Sequence, residues 1–375
     1  MERSGVSRAV PSGPAPRCFP AVDLIRLGAA FLVVLYHLAF LSRTGDPSRA
    51  ALAAIEPLAA SGWVGVPIFF VISGFVIACS ARGKTARQFI TGRASRLYPA
   101  AWVCATVTML VAFRPGIGLD YVRTLALWPI GPWVSGVYWT LAVEMAFYAL
   151  VALVLAQRGS AALPRLAVAI GGVSTLYWIV RVVAEARTGS SDWLFGSLNY
   201  FAGHLLLLRS GCMFALGMLI WDALDTADYR RWRLIVAFGM CSFLSVYVRA
   251  ATLATEAGSA AAPLLVPPLL WLAAVLMLAG AVVWNTTITA LIGRHGALVR
   301  MLGLMTYPLY LIHSELGAAV LARTTAFGPW LSLLVAVVAV LLAAALVLPI
   351  EAAIRRSLRR TSIAYASPAI APAAP

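Results

Sequence analysis

The chain has 375 residues, of which 62% are hydrophobic and only 11% charged, and its mean hydropathy is +0.89. Soluble domains average about 25% charged residues, so this composition excludes an ordinary soluble enzyme and indicates a membrane protein. The net charge of +15 at pH 7 is of the size found in nucleic-acid-binding proteins, but its distribution along the chain excludes that class.

Apolar segments of about 18–22 residues recur along the sequence, and each is long enough to cross a hydrocarbon core of about 30 Å. We predict ten spans, at residues 22–41, 62–81, 97–113, 136–156, 164–183, 203–221, 233–249, 265–284, 301–321 and 331–350. The connections between them are the size of loops. The sequence therefore predicts an all-α fold, a single polytopic bundle of transmembrane helices.

The basic residues lie mainly on one side of the predicted membrane. If the N-terminus is inside, 19 of the 29 basic residues fall in cytosolic segments and eight fall on the opposite side. The positive-inside rule therefore predicts that both termini are cytosolic. Anionic membrane lipids are the expected partners of this charge, and no nucleic acid is expected.

Three parts of the chain are distinguished by composition. Residues 1–20 are predicted to be a cytosolic arm, 21–355 the membrane domain, and 356–375 a basic, Pro/Ala-rich disordered tail in the cytosol. No cleavable signal peptide is expected, because no apolar core precedes a cleavage site. The five cysteines show no paired spacing, so neither a disulfide framework nor a zinc site is indicated.

The first predicted span carries Asp23, Arg26 and His37. An ionisable side chain at the bilayer centre costs at least about 2.5–3.5 kcal/mol, so such residues usually mark a site. Arg26 and His37 lie within about 20° of one helix face and about 16 Å apart along the axis, and Asp23 can orient Arg26 from one turn away. The span offers an anion-binding end and a general base. Alternatively, His37 only hydrogen-bonds a neighbouring helix and Arg26 reaches to the interface.

Two later spans carry further polar groups. In the fourth, Glu144 shares a face with Tyr148, and Trp139 lies above them; a structural pair between Glu144 and Arg209 of the sixth span is the alternative. Helix directions place Glu144 near the middle of the membrane, and His37, Arg209 and His313 in its outer half. These depths predict a polar cavity that opens outward.

The ninth span contains a polar stripe formed by Thr306, Tyr310 and His313, with Tyr307 beside it. The stripe passes the helix midpoint, which favours a cavity wall over an interfacial anchor.

A pair of arginines precedes the third span. If the segment is helical, Arg93 and Arg96 present two guanidinium groups on one face, an arrangement that suits phosphate oxygens. Ordinary positive-inside arginines are the alternative. In the second span, Ser73 lies among glycines and Pro67, which permit close helix approach.

Six segments carry these residues in a fixed order between residues 23 and 313: "DLIRLGAAFLVVLYH", "GVPIFFVISGF", "RASRLYP", "YWTLAVEMAFY", "RSGCMFALGM" and "TYPLYLIH". Together they resemble the acyltransferase-3 family of integral membrane acyltransferases, which modify sugars and related acceptors. Leu24 and Leu27 replace glycines often found beside the family's first arginine, and Ala146 replaces a polar residue, but no ionisable member is lost.

The resemblance implies a donor site and a catalytic base. Acyl-CoA, expected to be acetyl-CoA, is the donor substrate, and no permanently bound cofactor or metal is expected. The donor-binding residues are expected to be Arg26, Arg93, Arg96 and Ser73. His37 is the expected general base, with Arg26 and Glu144 as further catalytic residues; Glu144 would orient His37 or position the acceptor. An oxyanion would be stabilised by Arg209 or a tyrosine, and an acyl relay through Ser73 or His37 is an alternative.

The expected acceptor is a carbohydrate or glycolipid hydroxyl at or beyond the outer face of a bacterial inner membrane. Its candidate binding residues are Asp23, Trp139, Tyr148, Arg209, Tyr307, Tyr310 and His313. A transporter or flippase that uses the same polar residues is the alternative, although a carrier does not need Arg93 and Arg96. The sequence leaves open the acceptor's identity, the acyl chain length, the oligomeric state, and whether His37 meets the thioester or only the acceptor hydroxyl.

Overall fold

The structure is a computed structural model that describes residues 19–43, 51–189, 200–256 and 264–366, the last eight of these by backbone alone. Every regular element in these ranges is helical, which confirms the all-α prediction. Most of the predicted N-terminal arm (residues 1–18) and the last residues of the predicted tail (367–375) lie outside the described residues.

The described chain forms fourteen α-helices. They are α1 (Pro20–Leu35), α2 (Glu56–Ser61), α3 (Gly65–Ala81), α4 (Ala86–Val111), α5 (Ile117–Leu125), α6 (Trp139–Arg158), α7 (Leu163–Thr188), α8 (Tyr200–Leu205), α9 (Gly211–Thr226), α10 (Trp232–Glu256), α11 (Val266–Val283), α12 (Asn285–Ile292), α13 (Gly296–Arg323) and α14 (Pro329–Ala366). A π-helical turn, Tyr36–Phe40, continues α1.

Eight helical segments of the described chain are long and apolar enough to cross a membrane, where ten were predicted. Helix α4, the third predicted span, is 26 residues long, but Arg87, Arg93 and Arg96 make its first half polar. The sixth predicted span is broken, because α8 ends at Leu205 and the 16-residue α9 begins only at Gly211. Leu207 in the break has a φ of 57°, which a continuous helix does not allow. The chain is thus a multi-pass helical membrane protein, and eight of its described helical segments meet the length and hydropathy of a full span.

Helix α14 continues past the predicted boundary between membrane domain and tail. It runs to Ala366, whereas the tail was predicted to begin at residue 356. An ion pair one turn apart, Glu351 with Arg355, lies immediately before that boundary. No helix end therefore marks the predicted boundary.

Glycines bring the helices that surround the site into close contact. A Cβ on Gly74 of α3 would lie 2.1 Å from the Phe214 carbonyl oxygen of α9, and a Cβ on Gly217 of α9 would lie 2.0 Å from the Val71 carbonyl oxygen. Gly65 lies equally close to α1, at the Ala29 carbonyl. This matches the close approach expected of the second span, and it fixes α3 between α1 and α9.

We expect Gly74→Ala to destabilise the protein by about 1–3 kcal/mol, because a methyl group there overpacks a backbone contact. The midpoint of thermal unfolding of the detergent-solubilised protein measures this effect. Gly172→Ala in α7 is the matched control, since a Cβ there meets nothing within 4 Å and alanine favours a helix. Equal midpoints for the two variants would contradict the close contact between α3 and α9.

Candidate active site

Two adjoining cavities lie among the helices, and the first is rich in arginine. It encloses about 880 Å³ including its mouth, and we call it the arginine cavity. Its polar lining comes from α1, α3, α4, α6 and α13 and consists of Arg26, Ser73, Arg93, Arg96, Thr140, Glu144, Tyr148, Thr306, Tyr307 and Tyr310. The structure thus brings together all four residues predicted to bind the donor, from three separate helices.

Helix α4 supplies two of these arginines from its first turns. A capping box starts the helix: the Thr85 hydroxyl accepts the Gln88 backbone N–H, and the Gln88 side chain accepts the Thr85 N–H. The segment is therefore helical, as the phosphate-binding prediction required, and Arg93 and Arg96 lie on one face three residues apart. Arg93 also lies 5.8 Å from the centre of the Phe89 ring. Both arginines are half-buried at the cavity.

The remaining polar groups of the arginine cavity form a compact set. Arg26 lies 3.8 Å from the Asp23 carboxylate one turn earlier, so Asp23 supports Arg26 from outside the lining. The Ser73 hydroxyl donates to Glu144 Oε1 at 2.5 Å, and the Tyr148 hydroxyl interacts with both. Arg26, Arg93 and Arg96 thus share the arginine cavity with one carboxylate, that of Glu144.

The second cavity contains the predicted catalytic histidine, and we call it the histidine cavity. It encloses about 900 Å³ including its mouth. Its aromatic and polar lining consists of Tyr36, His37, Trp63, Phe70, Trp139, His204, Arg249, Tyr310 and Ser314. The Trp139 ring lies 5.1 Å from the His204 ring. The lining therefore combines aromatic side chains with a few polar ones, as is typical of small-molecule sites.

His37 and His313 are hydrogen-bonded to each other across α1 and α13. Nε2 of His313 lies 3.1 Å from Nδ1 of His37, and the rings meet edge to face at 4.7 Å. His313 is fully buried and, unlike His37, lines neither cavity. His313, which was predicted to bind the acceptor, thus hydrogen-bonds the predicted base and lies outside both linings.

The backbone fixes the tautomers of this pair. Nδ1 of His313 lies 2.7 Å from the Tyr310 carbonyl oxygen, and Nδ1 of His37 lies 2.9 Å from the Val33 carbonyl oxygen. Because a carbonyl oxygen only accepts, each Nδ1 carries a hydrogen and each neutral ring keeps a lone pair on Nε2. His37 therefore shares its Nδ1–H between Val33 and His313. Its own Nε2 is left as a base.

A change of helix geometry accompanies His37. The α-helix ends at Leu35, and residues Tyr36–Phe40 form a π-helical turn. Such turns are rare and frequently occur at functional sites, because they re-aim side chains relative to the preceding helix. The turn carries His37 and Tyr36 into the histidine cavity, whereas Arg26 on the regular part of the helix lines the arginine cavity.

Three side chains line both cavities: Val66, Phe70 and Tyr310. We call them the dividing wall. Helix α13 passes from one cavity to the other at Tyr310, as α3 does between Val66 and Phe70. The Tyr310 hydroxyl accepts from Thr140 at 3.1 Å and lies 3.5 Å from the Val137 carbonyl oxygen. The two cavities are thus in series, with the predicted anion-binding residues in one and the predicted base in the other.

Several predicted relationships differ from the geometry. Glu144 lines the arginine cavity while His37 lines the histidine cavity, and the side chain hydrogen-bonded to His37 is that of His313. Arg209 lies over the Tyr177 ring at 6.0 Å, outside both linings.

The other predicted acceptor-binding residues divide between the two cavities. Tyr148 and Tyr307 line the arginine cavity, and only Trp139 and Tyr310 line the histidine cavity. Asp23 contacts Gly303 of α13 and lines neither cavity. The predicted single outward cavity is therefore wrong, because the polar groups of the described chain occupy two spaces.

Sequence reasoning missed two residues of the histidine cavity, His204 and Arg249. His204 is one of four histidines in the chain, and it lies in α8 just before the segment that contains Arg209. Histidine is rare in apolar segments, and this was the signal in the sequence that could have identified His204. Arg249 counted only as an outer-side charge, because the predicted seventh span ended there.

The described chain contains no group of three or more His, Cys, Asp or Glu side chains that could hold a metal ion.

Two curated bacterial proteins are similar to parts of this chain. Nodulation protein 10 of Rhizobium leguminosarum bv. viciae is 32% identical over 155 residues, which cover 34% of this chain and 41% of that protein. The exopolysaccharide production protein ExoZ of Rhizobium meliloti (strain 1021) is 34% identical over 123 residues, which cover 28% of this chain and 36% of that protein. The matches span less than half of either relative. No solved structure matches the chain significantly.

A family model described as an acyltransferase domain matches residues 19–349. This range contains both cavities and nearly all of the predicted membrane domain. Each of the six motif segments also contributes to a lining, the "RSGCMFALGM" segment through Met213. The chain therefore belongs to the acyltransferase-3 family.

Proposed function

We propose that this protein is a membrane O-acyltransferase that moves an acetyl group from acetyl-CoA to a hydroxyl of a carbohydrate-containing acceptor. The observation that carries the proposal is the series of two cavities, with arginines in the first and an unprotonated histidine nitrogen in the second. A two-substrate transfer needs two spaces that meet at the reacting atoms. The family membership supports the reaction type.

The arginine cavity suits the donor. Guanidinium groups bind phosphate oxygens through paired, charge-assisted hydrogen bonds, and Arg26, Arg93 and Arg96 line the same space. The pantetheine arm then extends toward the dividing wall. Arg26 and His37 are separated by about 16 Å along α1, which is of the order of the length of that arm.

The histidine cavity suits the acceptor. Tryptophan faces, here Trp63 and Trp139, provide apolar platforms for the faces of sugar rings, and polar side chains beside them bind hydroxyl groups. The name of one relative, an exopolysaccharide production protein, supports a carbohydrate acceptor. With the N-terminus in the cytosol, the donor enters from the cytosol and the acceptor from outside. The two bacterial relatives support an inner-membrane location.

The proposed reaction is a single acyl transfer. Nε2 of His37 takes the proton of the acceptor hydroxyl as its oxygen attacks the thioester carbon, a contribution of typically about 10²–10⁴-fold. The Nδ1–H of the resulting imidazolium donates to Val33 and His313, which stabilises the charge. The C–S bond then breaks, an ester forms, and the CoA thiolate leaves with the proton from His37. In this proposal Tyr310 at the dividing wall stabilises the oxyanion by turning its O–H from the Val137 carbonyl oxygen, 3.5 Å away, toward the developing charge.

The activity is tested with inverted membrane vesicles from expressing cells, incubated with [14C]acetyl-CoA. We expect protein-dependent release of free CoA together with label in the extracted glycolipid and polysaccharide. A transporter would move its cargo without consuming the thioester. Absence of both CoA release and labelling, relative to vesicles without the protein, would contradict the proposal.

Replacing Arg93 and Arg96 with glutamine is expected to raise the KM for acetyl-CoA about 10-fold or more, because hydrogen bonds to charged groups contribute about 1.5–3 kcal/mol each. The KM for the acceptor should change much less. Steady-state CoA release at varied donor concentration measures the effect.

Acetyl-pantetheine, which lacks the phosphates, provides the matched comparison. If the arginines bind phosphate, the double variant and the wild type should use acetyl-pantetheine equally well. Arg87→Gln is the control variant, since Arg87 is on the same helix but lines neither cavity. An unchanged KM for acetyl-CoA in the double variant would refute the phosphate role.

A further inference from the structure

We propose that the dividing wall formed by Val66, Phe70 and Tyr310 selects the acyl group by length, admitting acetyl and excluding chains of four or more carbons. This inference rests on the proposed function and names a property of its donor. The three residues are singled out because they are common to the linings of both cavities.

The position of the acyl group follows from the two linings. Arg26, Arg93 and Arg96 line only the first cavity, and His37 lines only the second. The pantetheine arm therefore occupies the first space, and the acceptor hydroxyl occupies the second, within about 2.6–3.2 Å of the base. The thioester carbon has to lie between them, at the level of the dividing wall. A longer acyl chain would extend from there into the space that the acceptor requires.

Phe70 is held rigidly. It is 3% exposed, and its ring lies 4.9 Å from the Phe214 ring and 6.2 Å from the Trp139 ring. Both neighbours are large aromatic side chains, so Phe70 is packed on the side that faces away from the two cavities. Its ring therefore limits the space at the dividing wall.

The other two members differ in what they contribute. Tyr310 is fixed through its hydroxyl by Thr140 and lies 5.8 Å from the Phe69 ring. Val66 is small and only half-buried, so the free width at the wall depends on its side chain. Size changes at Val66 and Phe70 should thus alter chain-length preference without removing a polar group.

The test compares kcat/KM for acetyl-CoA, propionyl-CoA and butyryl-CoA in variants of α3. One methylene in an apolar pocket changes discrimination by about 10–200-fold. We expect Phe70→Ala and Val66→Ala to raise the butyryl-to-acetyl ratio about 10-fold or more. Val66→Leu should lower the propionyl-to-acetyl ratio.

Phe75→Ala is the matched control. Phe75 is buried on the same helix between Phe19 and Trp221 and lines neither cavity, so its loss should reduce stability without changing the ratios. If Phe70→Ala fails to accumulate, the two Val66 variants decide the question. If the wild type transfers acetyl groups but the Val66 and Phe70 variants keep the wild-type ratios, the inference is overturned and the proposed function stands. A wild type that uses no acyl-CoA would overturn both.

Discussion

His37→Ala is expected to lower acyl transfer by about 10²–10⁴-fold, the usual contribution of a general base. The variant loses the one imidazole nitrogen in the histidine cavity that the hydrogen bonds of the pair leave as a base. Release of CoA from acetyl-CoA and labelling of the acceptor fraction measure the loss. The protein should insert and fold normally, because His37 is only half-buried.

The matched control is His295→Ala. His295 is exposed in the short turn before α13 and lines neither cavity, so it should retain wild-type activity. A His37→Ala variant that transfers at the wild-type rate would disprove the base role. A variant that fails to insert would be replaced by His37→Gln, which keeps polar volume but cannot accept the proton at neutral pH.

His313→Ala is expected to lower kcat about 100-fold and to leave the KM for acetyl-CoA nearly unchanged. His313 touches no substrate space; it accepts from Nδ1 of His37 and thereby fixes the direction of the catalytic nitrogen. Displacement of a reacting group by about 1 Å can cost about 10²-fold. The separate measurement of kcat and KM distinguishes this effect from weaker donor binding.

Two further measurements distinguish a positioning role of His313 from a merely structural one. His313→Gln can still accept the Nδ1–H of His37 and should recover part of the activity lost in His313→Ala. The acid limb of the kcat–pH profile, which reports protonation of His37, should move in His313→Ala because the imidazolium loses an acceptor. If the profile is unmoved and glutamine gives no recovery, His313 is only a packing residue.

The residue spacing of an α-helix, applied to single segments of the sequence, predicted part of the site. Arg26 and His37 are eleven positions apart, which places both on one side of a regular helix, and in the structure they line two adjoining cavities. The phosphate-binding pair required that α4 begin before Arg93, which the capping box at Thr85 ensures. Such features depend on local geometry, and local geometry can be derived from sequence.

Contacts between distant segments could not be derived in the same way. His37 and His313 are 276 residues apart, and their depths in the membrane do not show which helices adjoin. Glu144 was predicted near the base for this reason, yet it pairs with Ser73 in the other cavity. The break of the sixth span depends on the left-handed backbone at Leu207, and no glycine marks that turn.

The alternatives left open by the sequence are also not exclusive. His37 does hydrogen-bond a neighbouring helix, through His313, and it lines a cavity as well. Arg26 lines the arginine cavity and pairs with Asp23. A structural contact therefore supports the proposed catalytic geometry instead of competing with it.

Donor binding and catalysis occupy separate cavities in the proposed mechanism, and equilibrium binding of [14C]acetyl-CoA to purified variants tests this separation most directly. We predict that His37→Ala binds acetyl-CoA as tightly as the wild type, although it no longer transfers the acetyl group. The Arg93→Gln, Arg96→Gln double variant should bind about 10-fold or more weakly. Loss of affinity in His37→Ala, or unchanged affinity in the arginine double variant, would contradict the separation of the two sites.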